Sequence, residues 1–339
     1  MILKYDVVTI GSAIRDNFFE ADFPVTKWSR SPSNKALVLP LGEKMGAKSA
    51  YFTIGGNAVN AATTFAKNGW KTAILARVGD DAGGREIVSE LKERKIEAGL
   101  MEFDSRRPTS SSVIFVCQGE RAIVNYVGAG HSLSLESIKI NRAKSRWWYV
   151  SLPGESYRLF PRLMDIAEKN GISVAFNPTG YHILKDKRNI IKFARKTAVF
   201  IANESEAAAL TGIPFKKRDA LFGRMEEIVR GIVVITYGGK GASVSDGKFI
   251  YRAGTFPIRV VDRTGAGDAF GAGFVSSLMK AGYPKKGAYR PKDIEQAIRF
   301  ASENASSVIS RLGGGEGVIS EKKFNDGRKD KLTVKISRL

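Results

Sequence analysis

The sequence predicts an α/β domain in three layers (α/β/α): a mainly parallel central sheet between helices, with a small β-sheet standing off it as a lid. Three observations carry that expectation. Short, continuous apolar runs rich in β-branched and aromatic residues alternate with amphipathic stretches, as they do when strands are buried on both faces. Several of the runs end in polar or glycine residues, in "NPTG", "NESE" and "TYGGKG", and such carboxyl ends are where ligands collect in open α/β sheets. Two stretches, 18–54 and 110–127, break the alternation with prolines and hairpin-like patterning.

In chain order, strands are expected at 5–11, 71–79, 146–152, 172–178, 198–203 and 231–239, and helices at 57–69, 83–95, 155–170, 204–211 and 218–230. Pro24, Pro32 and Pro40 punctuate 18–54, which holds a pair of strands at 36–41 and 49–54, while 110–127 reads as a hairpin turning near Gly119. Together these segments form the lid; edge strands of the main sheet are the alternative reading. The domain would span 1–320, with lid segments of about 17–54 and 98–130 inserted, followed by a basic tail at 321–339 that includes one strand, "KLTVKIS".

Composition narrows the function classes. Hydrophobic residues make up 43% of the chain, enough for a sizeable core, yet no run approaches the roughly 20 apolar residues of a membrane span. The start, "MILKYDVVTIGS", is interrupted by Lys4 and Asp6 and reads as a strand rather than a signal peptide. One cysteine, Cys117, excludes an intramolecular disulfide and a CxxC metal site, and a cytoplasmic, reducing location is expected. With only His131 and His182 available, acid–base chemistry falls to carboxylates. The net charge of +20 attracts anionic partners. The basic residues are scattered, in clusters such as 185–188 and 216–218, and no nucleic-acid-binding signature accompanies them, which argues against a nucleic-acid partner.

The chemistry concentrates in "DRTGAGDAF", residues 262–270. "FPIRVV" before it reads as a strand, and 267–282 as a helix with Phe270, Phe274 and Leu278 repeating every fourth residue. Free N–H groups and the positive end of the helix dipole meet at Gly265, Ala266 and Gly267, where the absence of side chains on the glycines lets a phosphate approach the backbone. Asp268 cannot bind phosphate, because like charges repel. It suits a general base taking a proton from an attacking hydroxyl, and reads equally, on its own, as a helix cap. A second cluster, "GGNAVNAATTFAKNG" at 55–69, presents Asn57 and Asn60 on the first turns of a helix, where amides that donate and accept suit a polyhydroxylated ligand. Capping by Asn57 is the plainer alternative. Asp16, in a loop after the first strand, is a third candidate for holding hydroxyls.

"GGNAVNAA", "VGDDAGG" at 78–84, "NESE" at 203–206, "TYGGKGA" at 236–242 and above all "DRTGAGDAFGAGF" at 262–274, in this order, resemble the ribokinase-like (PfkB) carbohydrate kinase family. The resemblance runs from about 5 to 315. It implies transfer of the γ-phosphate of ATP to a primary hydroxyl of a sugar, with Asp268 as base and 265–267 as anion hole. Asp16, Gly56, Asn57 and Asn60 fall at the sugar. Asn203 and Glu206 match residues that hold Mg²⁺ through water. Thr236, Gly238, Gly241 and Ser302 lie on the ATP side, with adenine near loops at 238–241 and 302–314. Asp262 and Thr264 match a loop that in many members binds K⁺, with carbonyls from around Ile309 to Gly314. Dimerisation through the lid is common in the family. This chain departs from ribokinases in having Ile14 in place of a sugar-contacting Asn, Asn57 in place of Lys, and Arg263 where a small or hydroxyl residue is usual. A nucleoside acceptor is the alternative, with Phe18, Phe19, Phe115 or Tyr126 to stack a base, and a catalytically silent binding protein a remote one.

Overall fold

The computed structural model describes residues 4–31, 34–117, 120–131, 133, 139–282, 289–327 and 332–339. The expected turn at Gly119 lies outside them. The chain opens with β1 (Tyr5–Ile10), whose Val7, Val8 and Ile10 are fully buried because both faces of the strand are covered. It then leaves the main sheet for β2 (Ile14–Glu20), a short ribbon of β3 (Val25–Lys27) and β4 (Lys35–Leu37), and β5 (Ser49–Gly55). Helix α1 (Asn57–Lys67) returns it to β6 (Thr72–Leu75), followed by β7 (Arg77–Gly79), α2 (Ala82–Glu93) and β8 (Glu102–Asp104), which pairs with β7. A hairpin of β9 (Ser111–Cys117) and β10 (Glu120–Tyr126) joins the small sheet.

Strands and helices then alternate as β11 (Ser145–Val150), α3 (Phe160–Lys169), β12 (Ser173–Phe176), α4 (Gly180–Ala194), β13 (Val199–Asn203), α5 (Glu204–Thr211), α6 (Arg218–Ile228) and β14 (Ile232–Thr236). Two strands, β15 (Ala242–Ser245) and β16 (Phe249–Ala253), precede α7 (Ala266–Ala281) and α8 (Pro291–Ile309). The chain ends in α9 (Glu321–Asn325) and β17 (Val334–Arg338).

The main sheet runs β17-β16-β15-β14-β13-β12-β11-β1-β6. From β14 to β6 every pairing is parallel, and the three strands at the other edge are antiparallel. Successive residues point to opposite faces, so two cores form. Val8, Trp148, Val174 and Phe176 pack with Leu163, Ile190 and Phe222 of α3, α4 and α6. Val7, Trp147, Tyr149 and Ala175 pack with Phe65 of α1, Phe274 and Leu278 of α7 and Ile298 of α8. The small sheet, ordered β10-β9-β2-β5, is separate.

Several expectations are corrected. The 71–79 run splits, its first part in the main sheet and its second paired with β8. Of the two strands expected at 36–41 and 49–54, the first is shorter, as β4, and joins β3, while the second, as β5, joins β2. The 155–170 helix begins with a 3₁₀ turn, Gly154–Leu159. "FPIRVV" is irregular rather than a strand, as suits a segment whose Pro257 cannot donate to a ladder. Asp16 lies within β2 and not in a loop. Ser302 lies within α8, where a loop was expected. Strands β15 and β16 and helices α4 and α8 were not anticipated, and residues 321–339 supply a helix and the edge strand of the main sheet.

Candidate active site

The carboxyl ends of the parallel strands meet the N-termini of α1 and α7 at one cleft of about 280 Å³. Its floor is the 265–268 turn. Gly265 sits at φ +72°, and a Cβ there would come 2.5 Å from Gly314 Cα, so no other residue fits without movement. Ala266 N–H reaches the Arg263 carbonyl only at 3.4 Å, and the first firm helical bond is Ala269 N–H to Gly265 O at 2.8 Å. Among the described residues the N–H groups of Gly265, Gly267 and Asp268 have no acceptor. A Cβ on Gly267 would meet nothing, which leaves the cleft side of the turn open. Unbonded amides at a helix start, with space in front of them, form a ready anion site.

Asp268 faces this space from the first turn of α7. Asn60 Nδ2 donates to its Oδ2 at 2.9 Å. Burial pushes the carboxyl up to about 6, with the Asn60 hydrogen bond opposing. A carboxylate tuned toward neutrality is matched to taking a proton near physiological pH. Asn60 itself is buried behind it. The expected partners therefore meet, and Asp268 is not a cap: no side chain caps α7.

Asn57 does not cap α1 either. Its Oδ1 accepts from Ser12 N–H and Ser12 Oγ, each at 2.8 Å, and its Nδ2 donates to Ser151 Oγ at 2.8 Å. The amide thus ties together the segments after β1 and β11, and it lines the cleft wall. Gly56, at φ +95°, is needed because a Cβ would come 2.6 Å from the Ser12 carbonyl. Asp16 is buried in the small sheet, where the missing side chain of Gly55 makes room for its carboxylate. Burial raises it to about 6 against a hydrogen bond from Ser112 and the charge of Arg121. Asp16, Gly56 and Asn60 stand outside the cleft wall proper.

Across the cleft, Asn203 and Glu206 form a reciprocal cap on α5: Glu206 N–H donates to Asn203 Oδ1 and Asn203 N–H to Glu206 Oε2, both at 2.9 Å. Glu206 is raised by burial, and further by the charge of Asp268. Both residues line the cleft. Glu206, a carboxylate beside Asn203 on the cleft wall, suits a hydrated divalent cation, so this side of the cleft fits magnesium. Among the described residues no group of three or more His, Cys, Asp or Glu surrounds a point. Most ligands would therefore come from phosphate and water, as magnesium prefers.

A second cleft of about 520 Å³ opens beyond the turn and is more apolar, with Phe256, Ile258, Phe270 and Ile309 beside Gly238, Gly241 and Ser302. The two clefts share Thr236, Arg263, Ala266 and Gly267. An elongated ligand could thus lie in one and reach the other past the anion site.

Two of the oxygen groups matched to a potassium loop, the Ile309 carbonyl and the Asp262 carboxylate, are already taken by donors of the chain itself. The Ile309 carbonyl accepts from Val261 N–H at 2.8 Å and Asp262 N–H at 3.1 Å. Asp262 Oδ1 accepts from Thr264 N–H at 2.9 Å and Thr264 Oγ1 at 2.7 Å, and its Oδ2 accepts from Gly313 N–H at 3.1 Å. Arg121, from β10, pairs with the same Oδ1 and donates to Thr264 Oγ1 at 2.6 Å. Potassium needs a shell of oxygens in place of its water, whereas these lone pairs already face N–H and O–H groups.

Sequence reasoning did not name Ser12 or Ser151, and it marked Asn177 and Thr179 only as part of the strand end "NPTG". Each lies just beyond a parallel strand, so strand-end position alone is the signal that finds them. Arg121 carried no signal, since its role depends on how the small sheet folds over 262–264.

The chain matches the family model "pfkB family carbohydrate kinase" over residues 31–321. It is 28% identical to the ribokinase of Haemophilus influenzae over 282 residues, 80% of this chain and 86% of that protein. Its fold is that of the Arabidopsis thaliana ribokinase solved with ribose and ATP (TM-score 0.74, 22% identity, 95% and 98% of the two chains covered). Adenosine kinase from Sinorhizobium meliloti is similarly close (TM-score 0.75, 23% identity, 95% and 99% covered). With a family match over most of its length and the corresponding fold, this chain belongs to the pfkB family of carbohydrate kinases.

Proposed function

We propose that this protein is an ATP-dependent kinase that phosphorylates a primary hydroxyl of a sugar. The observation that carries this reading is Asp268, a half-buried carboxyl raised to about 6, directly after open amides in a cleft. The family match and the fold shared with an ATP-bound ribokinase support the donor and the acceptor class.

In this reading ATP lies in the larger cleft, with adenine against Phe256, Ile258 and Ile309 and its phosphates reaching the 265–267 turn. Asn203 and Glu206 would hold magnesium, which supplies charge neutralisation to the phosphates. The amides of Gly265 and Gly267 stabilise charge on the transferring group, at about 3 kcal/mol for a well-placed donor. Asp268 takes the proton of the acceptor hydroxyl as its oxygen attacks phosphorus, and Asn60 keeps the carboxylate aimed. Asn57 and, from the small sheet, Asp16 hold the remaining hydroxyls. Closure of that sheet over the cleft excludes water, which would otherwise accept the phosphate.

A nucleoside acceptor is the second reading, and a cavity of about 350 Å³ supports it, where Phe18, Ile114 and Leu312 offer an apolar wall opposite the charged Glu120, Arg121, Asp262 and Arg263. The other aromatic candidates lend less: Phe19 is set against Phe52, Phe115 against Phe23, and Tyr126 is exposed. The exposed Phe52, Ile123, Val124 and Tyr126 of the small sheet support a homodimer through it. Among the described residues no helix is long and apolar enough to cross a membrane. The test is ADP release from ATP across ribose, fructose, 2-keto-3-deoxygluconate and the common nucleosides. Turnover of a free sugar above every nucleoside supports the first reading; preference for a nucleoside transfers it to the second, and no turnover with any acceptor refutes both.

A further inference from the structure

The 262–264 loop of the main domain takes its counter-charge from the small sheet. Asp262 is buried, and it organises two segments at once, the Thr264 turn through Oδ1 and the Gly313 backbone through Oδ2. Gly314, the next residue, lies under Gly265 at the floor of the site and against Asn60. A buried carboxylate in this position needs a counter-charge, because an unpaired one is strongly destabilising. Arg121 provides it, reaching from β10 to Asp262 and to Thr264 Oγ1. Asp16 and Glu120 also attract Arg121, and Arg263 repels it.

We propose that the Arg121 guanidinium stands in for the monovalent cation, so that this kinase sets its anion-hole loop without potassium. Arg121 acts as a positioning residue. It touches neither reacting group; it fixes Asp262 and Thr264, which fix Gly265. Because Arg121 belongs to the small sheet, the counter-charge is present only while that sheet is closed. Opening leaves Asp262 unpaired and frees the loop, so closure over the acceptor and assembly of the phosphate site become one event. A freely exchanging ion offers no such coupling.

This inference rests on the kinase reading, and the experiment separates the two. Turnover of ATP with the best acceptor of the panel, ribose first, is measured with magnesium in potassium chloride and in choline chloride at equal ionic strength, and melting temperatures are taken in the same salts. Wild type is expected to run and melt alike in both. Arg121→Gln should lose roughly 10- to 100-fold in turnover in choline, the scale of one charge-assisted hydrogen bond. Potassium or guanidinium chloride should restore it and raise its melting temperature, while Arg121→Lys should keep most activity in choline. A wild type that needs potassium, or an Arg121→Gln enzyme as fast as wild type in choline, overturns the proposal. If no acceptor is turned over, the kinase reading fails, and the melts alone decide: potassium-specific stabilisation of Arg121→Gln but not of wild type supports the substitution, and any other pattern refutes it.

Discussion

Replacing Asp268 by Asn removes the base while keeping an acceptor oxygen for Asn60 Nδ2, which now donates at 2.9 Å. Two magnitudes follow from the structure. Loss of a positioned general base costs about 10²- to 10⁴-fold in turnover, with the KM for ATP little changed, because ATP meets the backbone amides and not this carboxyl. The second concerns stability. Burial raises Asp268 from 3.8 to about 6, so between those values the folded chain binds a proton that the unfolded chain has released. Wild-type stability therefore falls as the pH rises through this window, and the full penalty stands above 6. Two units correspond to at most about 3 kcal/mol, and the cleft-facing position of the residue reduces that. The substituted amide carries no charge to bury. Asp268→Asn should accordingly be more stable than wild type at pH 8, with the gain shrinking as the pH is lowered from 6 toward 4. Steady-state kinetics with the best acceptor and urea melts at several pH values measure both effects. Turnover within a few-fold of wild type would refute the base assignment, and a pH-independent stability difference would refute the burial argument.

The remaining predictions test the surroundings of that base. Gly265→Ala should destabilise the fold by about 1–3 kcal/mol through its left-handed backbone and the 2.5 Å approach to Gly314 Cα. Gly267→Ala, whose methyl meets open space, should leave stability unchanged and weaken ATP use; equal melts for the two variants would contradict this geometry. Asp16 and Asp268 both titrate near 6, so kcat/KM for the acceptor should fall below pH 6 more steeply than one ionisation allows. Asp16→Asn should return the profile to a single ionisation and raise the acceptor KM, and an unchanged steep limb would remove Asp16 from acceptor binding. His182 is buried among Tyr157, Phe160 and Phe176 with both ring nitrogens unpartnered among the described residues, and burial lowers it from 6.5 to about 4. The unfolded chain binds that proton first, so up to roughly 3 kcal/mol of stability is lost as pH falls from 6.5 toward 4. His182→Phe should flatten thermal stability across this range, and a slope equal to wild type would show that His182 does not govern it.

Local chemistry made much of this protein legible in its residues alone. Continuous apolar runs specify strands covered on both faces, and 5–10, 199–203 and 232–236 appear where the runs predict them. Side-chain-free positions before an Asp specify the start of α7, because only glycine gives the backbone that conformation and that openness. Strands β15 and β16 escaped notice because short, mixed segments at a sheet edge carry little periodicity. Tertiary structure alone decided what depends on distant partners. Asn60 meets Asp268 across 208 positions, Asn57 bridges two strand ends where a cap was the simpler reading, and Arg121 occupies the counter-charge position beside Asp262. Periodicity and turn chemistry act over a few residues and are written in the order of the chain. The pairing of a buried charge is decided by whichever side chain the fold brings within hydrogen-bond reach, and the sequence order does not encode that distance.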